Sequence, residues 1–212
     1  MIKDDIALKV AEFLLQIKAI KLQPNDPFTW ASGIKSPIYC DNRKTLSYPT
    51  VRTFIRQCFT QKILDTFGKP DIIAGVATGG IPHGVLVAQD LGVPFVYVRS
   101  TAKKHGLGNM IEGDYNENQT VVVIEVLIAT GGSSLQAVDA LKEAGLNVKG
   151  LAAIFTYGFD ISVQNFEKAN CRFATLTNYE YLLDVAIDKK YISASQVETL
   201  KEWKNNPEDW TK

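Results

Sequence analysis

The amino-acid sequence predicts an α/β fold in which a mostly parallel sheet is flanked by helices. From residue 71 onward, short β-rich runs alternate with helical segments, as in the βαβ units of a parallel sheet. Apolar residues dominate these runs, which indicates strands that helices cover on both faces. Glycine-rich turns follow two of the runs, at 75–80 and 129–134, and ligands of open α/β sheets bind at such strand ends.

Length and composition indicate one domain and exclude several classes of partner. The chain has 212 residues, of which 46% are hydrophobic, enough for a sizeable core in a single domain over 1–212. The 23 basic residues balance the 23 acidic ones, so the net charge predicts neither a nucleic-acid nor a membrane partner. Cys40, Cys58 and Cys171 are widely spaced, which predicts reduced thiols and a cytoplasmic location. The first residues are acidic and no apolar run approaches the ~18 residues of a membrane span, so we expect a soluble protein without a signal peptide.

Helices are predicted at both ends of the chain and around a set of central strands. Residues 5–19 have apolar residues at helical spacing, with Asp4 or Asp5 as the N-cap. A second helix begins near Pro49, and the tail forms two short helices with Ser193 or Ser195 capping the second. Between these segments we expect strands at 71–77, 94–99, 120–128, 148–157 and 173–177, and helices near 81–91, 132–145 and 160–169.

The turn ATGGSS (129–134) is a candidate phosphate site. It follows an apolar strand and opens a helix, so backbone N–H groups at the helix start can hold a phosphate. Gly131 and Gly132 let the backbone come close, and Thr130, Ser133 and Ser134 add hydroxyl groups. On the turn alone, an ordinary β-to-α bend is an equally good interpretation. The P-loop pattern with its lysine is absent.

Glu125 is the one carboxylate in the strand that leads to this turn. A carboxylate is costly to bury without a partner, so its place after four apolar residues favours a functional role. It can hold sugar hydroxyls, or a magnesium ion that is bound to the substrate. The alternative is a glutamate at the strand end that points into solvent.

Two further strand ends carry groups suited to anions. GVATGG (75–80) is a second glycine-rich turn, and two such turns at one edge suit a ligand with two phosphate groups, although a simple tight turn is an equal alternative. The segment after Val98 runs about twenty residues without regular periodicity, and loops of that length in compact domains are functional or disordered. Its cations, Arg99, Lys103, Lys104 and His105, suit a lid over an anionic leaving group, or else a solvated basic loop.

Taken together, these motifs resemble those of the type I phosphoribosyltransferases, and within them the orotate phosphoribosyltransferases. The strand end and turn EVLIATGGS (125–133), the turn GVATGGIP (75–82) and the loop RSTAKKHG (99–106) match three motifs of that family. FTWASGIKSP (28–37) is similar to its hood segment, and DVAIDKKYIS (184–193) to its C-terminus. The resemblance covers almost the whole chain, and it implies a type I phosphoribosyltransferase fold with a small N-terminal hood.

The resemblance implies a reaction and a set of roles. Orotate displaces pyrophosphate from 5-phosphoribosyl 1-pyrophosphate (PRPP), with Mg²⁺ bound mainly by the substrate pyrophosphate and ribose hydroxyls, and orotidine 5′-monophosphate forms in de novo pyrimidine synthesis. It implies a hood within 20–45, a mobile catalytic loop within 100–118, and a homodimer in which this loop enters the neighbouring subunit's site. By this resemblance, pyrophosphate would be stabilised by Arg99, Lys103 and His105 and would lie beside Thr78 and Gly79. Glu125 would bind the ribose, and Lys35 would lie near the base or pyrophosphate. The 5′-phosphate would be held by Thr130, Gly131, Gly132 and Ser133.

Three positions depart from the family pattern. Val126 stands where the family has the second acid of its pair, and Ala129, within the ligand-binding stretch, replaces a Ser or Thr whose hydroxyl contacts orotate. Thr101 stands where relatives often have a further lysine. Loss of one preorganised group costs on the order of 3 kcal/mol of barrier, roughly a hundredfold in rate. The sequence is therefore compatible with an active enzyme, which we favour, with a weakened one, or with a non-catalytic sensor that binds PRPP.

Overall fold

The computed structural model describes residues 4–30, 33–101 and 110–210. The chain divides into two compact units, one formed by Met1–Val51 with Thr177–Lys212 and the other by Arg52–Leu176. The segment that we assign to the hood, 20–45, belongs to the first unit, and the strand ends with the candidate turns belong to the second.

The elements are numbered in chain order. Among the described residues they are α1 (Asp5–Gln16), β1 (Ile20–Leu22), β2 (Phe28–Thr29), β3 (Lys35–Ser36), β4 (Ile38–Cys40), a 3-10 helix (Asn42–Ser47), α2 (Pro49–Phe67), β5 (Ile72–Val76), α3 (Gly80–Leu91), β6 (Phe95–Val98), β7 (Ile111–Glu112), β8 (Thr120–Ile128), α4 (Gly132–Glu143), β9 (Asn147–Thr156), α5 (Asp160–Lys168), β10 (Phe173–Asn178), α6 (Tyr179–Asp188) and α7 (Ala194–Asn205).

Every helix and strand predicted from the sequence is present, with small shifts at the ends. Asp4 is the N-cap of α1, because its side chain accepts from the N–H groups of Ile6 and Ala7. This helix ends three residues earlier than expected, since the chain turns at Lys18, where φ is +55°, and enters β1. Ser193 caps α7 in a capping box with Gln196. The strands β1 to β4 and β7 and the 3-10 helix were not predicted, because they are too short for a periodic pattern.

The main sheet is mostly parallel, as the sequence predicts. Its strand order is β10-β9-β8-β5-β6-β7, and β5 pairs in parallel with both β6 and β8, as β8 does with β9. The short β7 runs antiparallel to β6. Strand β6, which follows β5 in the chain, lies on one side of β5, and β8 lies on the other side. The strand order therefore reverses between β5 and β8. The carboxyl ends of these two strands therefore form the crevice where such sheets bind ligands.

The core of the second unit explains why β8 and β9 are apolar runs. Val121–Ile124 and Leu151–Phe155 are almost completely buried, as expected for central strands of a covered parallel sheet. Helix α3 begins so close to β8 that a Cβ atom at Gly80 would collide with the carbonyl oxygen of Ile124. The glycine at this position therefore allows the turn after β5 to lie against β8.

In the first unit, the tail helices pack around buried aromatic residues. Trp203 is fully buried, and its ring lies 5.7 Å from that of Trp30 and 5.8 Å from that of Tyr179. The hydroxyl of Tyr179 donates to the carbonyl of Leu200 at 3.0 Å. In the described part of the chain, no helix has the length and apolar character to cross a membrane. All three cysteines are free thiols.

Candidate active site

The turn after β8 has the geometry expected of a phosphate site. Gly131 adopts φ +87°, a left-handed conformation that favours glycine, and it starts α4 without a side-chain cap. The N–H groups in the first turn of a helix have no partner within the helix, so those of Gly132, Ser133 and Ser134 are available to an anion. Thr130, Gly132 and Ser133 are exposed, and the turn opens toward solvent.

Two residues of helix α5 contact this turn. The side-chain amide of Asn165 donates to the carbonyl oxygen of Thr130 at 3.0 Å. The ring of Phe166 lies directly under Gly131, where an added Cβ atom would come within 2.8 Å of it. The turn is therefore held by a hydrogen bond at one residue and by close packing at the next.

Glu125 is buried, which rules out the alternative of a glutamate that faces solvent. Its side chain is only 6% exposed, and its two carboxylate oxygens accept from the N–H of Val126 at 2.7 Å and the hydroxyl of Ser134 at 3.4 Å. Burial raises the pKa of Glu125 to about 7, although both hydrogen bonds act in the opposite direction. The hydroxyl of Ser134 thus faces Glu125 and not the mouth of the turn, contrary to our expectation that it faces a phosphate, because burial of the carboxylate requires a donor.

The turn after β5 lies beside the end of β6. Thr78 is exposed and Gly79 is half-buried, and the peptide bond between Ala77 and Thr78 is cis. The N–H of Ala77 donates to the carbonyl of Val98 at 2.9 Å. Because Arg99 follows Val98 directly, the predicted pyrophosphate turn and this predicted cation share one edge of the sheet.

The residues at the base of the basic loop are fixed at this same edge. The guanidinium of Arg99 pairs with the carboxylate of Glu112 at 3.5 Å, and the backbone N–H of Arg99 donates to the carbonyl of Met110 at 2.9 Å. The side-chain amide of Gln136, in α4, donates to the carbonyl of Ser100 at 3.4 Å. The helix that starts at the phosphate turn therefore contacts the beginning of the loop. Lys103, Lys104 and His105 lie outside the described residues.

Lys35 is placed in the small hairpin of β2 and β3, in the first unit. Its ammonium donates to the hydroxyl of Thr29 at 2.9 Å, and the side chain is exposed. Its predicted contact with the base or pyrophosphate stays a prediction. His83 is buried in α3, 6.2 Å from the ring of Phe59, and burial lowers its pKa to about 4, so it is neutral near pH 7.

Glu125 is the one acidic residue at the end of β8, because Val126 occupies the position of the second acid in the family pattern. Val126 and Ala129 are half-buried and supply neither a charge nor a hydroxyl. Among the described residues, no group of three or more His, Cys, Asp or Glu side chains lies together as a metal cage.

Sequence reasoning missed the residues that support the site. Glu112, Gln136 and Asn165 reach it from β7, α4 and α5, and the last two contact residues 36 and 35 positions away in the chain. A polar residue on a predicted helix carries no signal of such a contact. For Ser134, the position in the turn was visible, but the direction of its hydroxyl was not.

Comparisons with known proteins agree with this architecture. Residues 47–178 match the phosphoribosyl transferase domain family. An orotate phosphoribosyltransferase from Listeria monocytogenes serotype 4b is 58% identical over 207 residues, 98% of this chain and 99% of the relative. One from Porphyromonas gingivalis is 55% identical over 201 residues, 95% of this chain and 96% of the relative.

A solved structure supports the fold. The crystal structure of orotate phosphoribosyltransferase from Aeropyrum pernix has a TM-score of 0.73 at 22% identity, over 87% of this chain and 99% of that one. At that identity the likeness concerns the fold, which is the predicted mostly parallel sheet flanked by helices. The relatives do not favour the alternative of a non-catalytic sensor.

Proposed function

The chain belongs to the orotate phosphoribosyltransferases, within the phosphoribosyl transferase domain family, and from this membership we propose that it transfers the phosphoribosyl group of PRPP to orotate. The products are orotidine 5′-monophosphate and pyrophosphate, and the reaction serves de novo pyrimidine synthesis. The enzyme class is that of the pentosyl-transferring glycosyltransferases.

One observation supports this proposal above the others. The turns at 75–80 and 129–134 follow β5 and β8, which are neighbouring parallel strands, at the point where the strand order reverses. PRPP carries a phosphate at one end and a pyrophosphate at the other, so it needs two anion sites a sugar's length apart. Two glycine-containing turns at one crevice meet that need.

Binding of the sugar and its 5′-phosphate is assigned to the end of β8. In this proposal, the N–H groups of Gly131, Gly132 and Ser133 and the hydroxyl of Thr130 hold the 5′-phosphate, which the positive end of the α4 dipole also favours. Glu125 accepts hydrogen bonds from ribose hydroxyls. Because its carboxyl group has a pKa of about 7, a fraction of it is ionised near neutral pH.

Stabilisation of the leaving group is assigned to the end of β6 and the loop that follows. As the bond from ribose to pyrophosphate breaks, the sugar becomes cation-like and negative charge grows on the pyrophosphate beside Thr78 and Gly79. Arg99, Lys103 and His105 then interact more strongly with the transition state than with bound PRPP, which is the condition for faster turnover. Glu112 holds the guanidinium of Arg99 at this edge.

Magnesium would bind mainly through the pyrophosphate and ribose hydroxyls of the substrate. It would supply positive charge to the pyrophosphate, with ligands from PRPP itself, since the protein offers one carboxylate, Glu125, at the end of β8. Orotate is expected near Ala129, where the lost hydroxyl removes one hydrogen bond. The contact of Lys35 with the base or pyrophosphate stays a prediction. Val126 and Ala129 together are expected to reduce turnover more than binding.

Assembly and location complete the proposal. We infer a homodimer in which the segment 100–118 serves the neighbouring subunit's site, as the resemblance implies, and a cytoplasmic enzyme, for which the three free cysteines provide support.

A spectrophotometric assay tests the proposed function. Purified protein with PRPP and Mg²⁺ should deplete orotate and produce orotidine 5′-monophosphate and pyrophosphate in equal amounts. The matched control omits PRPP. Tight binding of PRPP with no detectable product would contradict the enzyme and would instead indicate a protein that senses this ligand.

A further inference from the structure

We propose that Asn165 is a positioning residue that aims the backbone of the phosphate turn at its ligand. The inference rests on the proposed function, because it concerns the same 5′-phosphate site. It assigns a role to α5, a helix that none of the predicted site residues occupies.

The hydrogen bond of Asn165 fixes the direction of one peptide group. The side-chain amide of Asn165 donates to the carbonyl oxygen of Thr130 at 3.0 Å. In a planar trans peptide, the carbonyl and the following N–H point in opposite directions. With the carbonyl of Thr130 held toward α5, the N–H of Gly131 points away from α5, and in the proposed function it faces the 5′-phosphate.

The peptide group between Thr130 and Gly131 needs a hydrogen-bond partner from another element, because glycine does not restrict the orientation of this peptide group. Glycine adopts positive and negative φ about equally well, so the peptide between Thr130 and Gly131 can rotate at little cost. A rotated peptide would present the carbonyl oxygen to the phosphate, and two acceptors facing each other repel. Asn165 selects the orientation that presents a donor.

Close packing by Phe166 supports the turn in addition to the hydrogen bond of Asn165, and the two side chains have different roles. Phe166 is 1% exposed, and its ring lies 4.7 Å from that of Phe173 in β10, so the surface under Gly131 is fixed from behind. Helix α5 is itself held by the ammonium of Lys142, which donates to the carbonyl of Ala169 at 2.8 Å. Phe166 thus fixes how closely Gly131 can approach α5, whereas Asn165 fixes the direction of the peptide group between Thr130 and Gly131.

The test measures two ligands that the proposed function assigns to different turns. Calorimetric titrations with ribose 5-phosphate and with pyrophosphate and Mg²⁺ would be compared for the wild type, Asn165→Ala and Asn165→Leu. Leucine keeps the bulk of the side chain but has no donor. Gln164→Ala is the matched control, because it removes an exposed amide from the neighbouring position of the same helix.

We expect both Asn165 variants to bind ribose 5-phosphate roughly tenfold more weakly, the size of effect for one lost hydrogen bond that orients a charged group's partner. Affinity for pyrophosphate should change by less than about twofold, since its proposed turn follows β5, whereas Asn165 is hydrogen-bonded to the turn after β8. Gln164→Ala should resemble the wild type with both ligands.

Each of the other possible results would contradict either the positioning role of Asn165 or the proposed function. Unchanged affinity for ribose 5-phosphate in both variants, or equal losses for the two ligands, would contradict the positioning role, the second by indicating general destabilisation. If the wild type turns over orotate but the Asn165 variants show no such difference between the two ligands, the proposed function stands and the inference is refuted. A wild type that binds neither ligand would refute the proposed function itself.

Discussion

At the scale of single residues, Glu125 links the stability of the protein to pH. Its pKa rises from an ordinary 4.5 to about 7 because it is buried. A carboxyl group whose pKa is raised on folding stabilises the folded state fully below its unfolded pKa, and this contribution is lost as the pH rises through the folded pKa. The loss should therefore extend from about pH 4.5 to about pH 7 and then level off.

Denaturant unfolding of the wild type and Glu125→Gln at pH 5 and pH 8 would measure this effect. Glutamine keeps the shape but does not titrate, so the wild type should lose roughly 2 kcal/mol of unfolding free energy relative to the variant between these pH values. A difference that is independent of pH would show that the folded protein does not raise the pKa of Glu125.

Val126 is the residue at which the chain departs most consequentially from the family motif. Val126→Asp restores a second carboxylate next to the cation-like sugar, and we expect the turnover rate to rise at least tenfold, a barrier change of about 1.4 kcal/mol or more. Val126→Asn is the matched control, since it has the same shape without the charge. Equal rates in the wild type and Val126→Asp would mean that the missing acid does not limit turnover.

At the scale of elements, the sequence predicts what long periodic runs determine. The nine-residue run of β8 and the capping residues Asp4 and Ser193 carry local signals, because strand burial and helix caps depend on neighbours in sequence. The hairpin of β2 and β3 has two residues in each strand, too few for a pattern. The end of α1 was placed too late because the turn at Lys18 has no glycine to mark it.

The candidate site follows the same division. Gly131 and Thr78 were predicted as ligand-binding from turns that are visible in the sequence, and the structure brings their strands side by side. Asn165 and Gln136 were missed, because each contacts the backbone of a residue that is distant in the chain. Residues that bind a ligand recur in motifs, whereas residues that orient the backbone depend on the tertiary fold.

At the scale of the whole molecule, the topology of the sheet brings separate motifs to one edge. The chain places β6 and β8 on opposite sides of β5, so the turns after β5 and β8 and the base of the basic loop meet at one edge. The contact between Gln136 and Ser100 places the start of that loop beside the helix of the phosphate turn. A sheet in simple sequential order would leave these turns on separated strands.

A crystal structure of the protein with PRPP and Mg²⁺ tests this convergence most directly. We expect the 5′-phosphate within hydrogen-bonding distance of the N–H groups of Gly132 and Ser133, and the pyrophosphate of the same molecule against Thr78 and Gly79. PRPP bound away from this edge, or held by its 5′-phosphate with the pyrophosphate directed away from the turn after β5, would contradict a shared crevice.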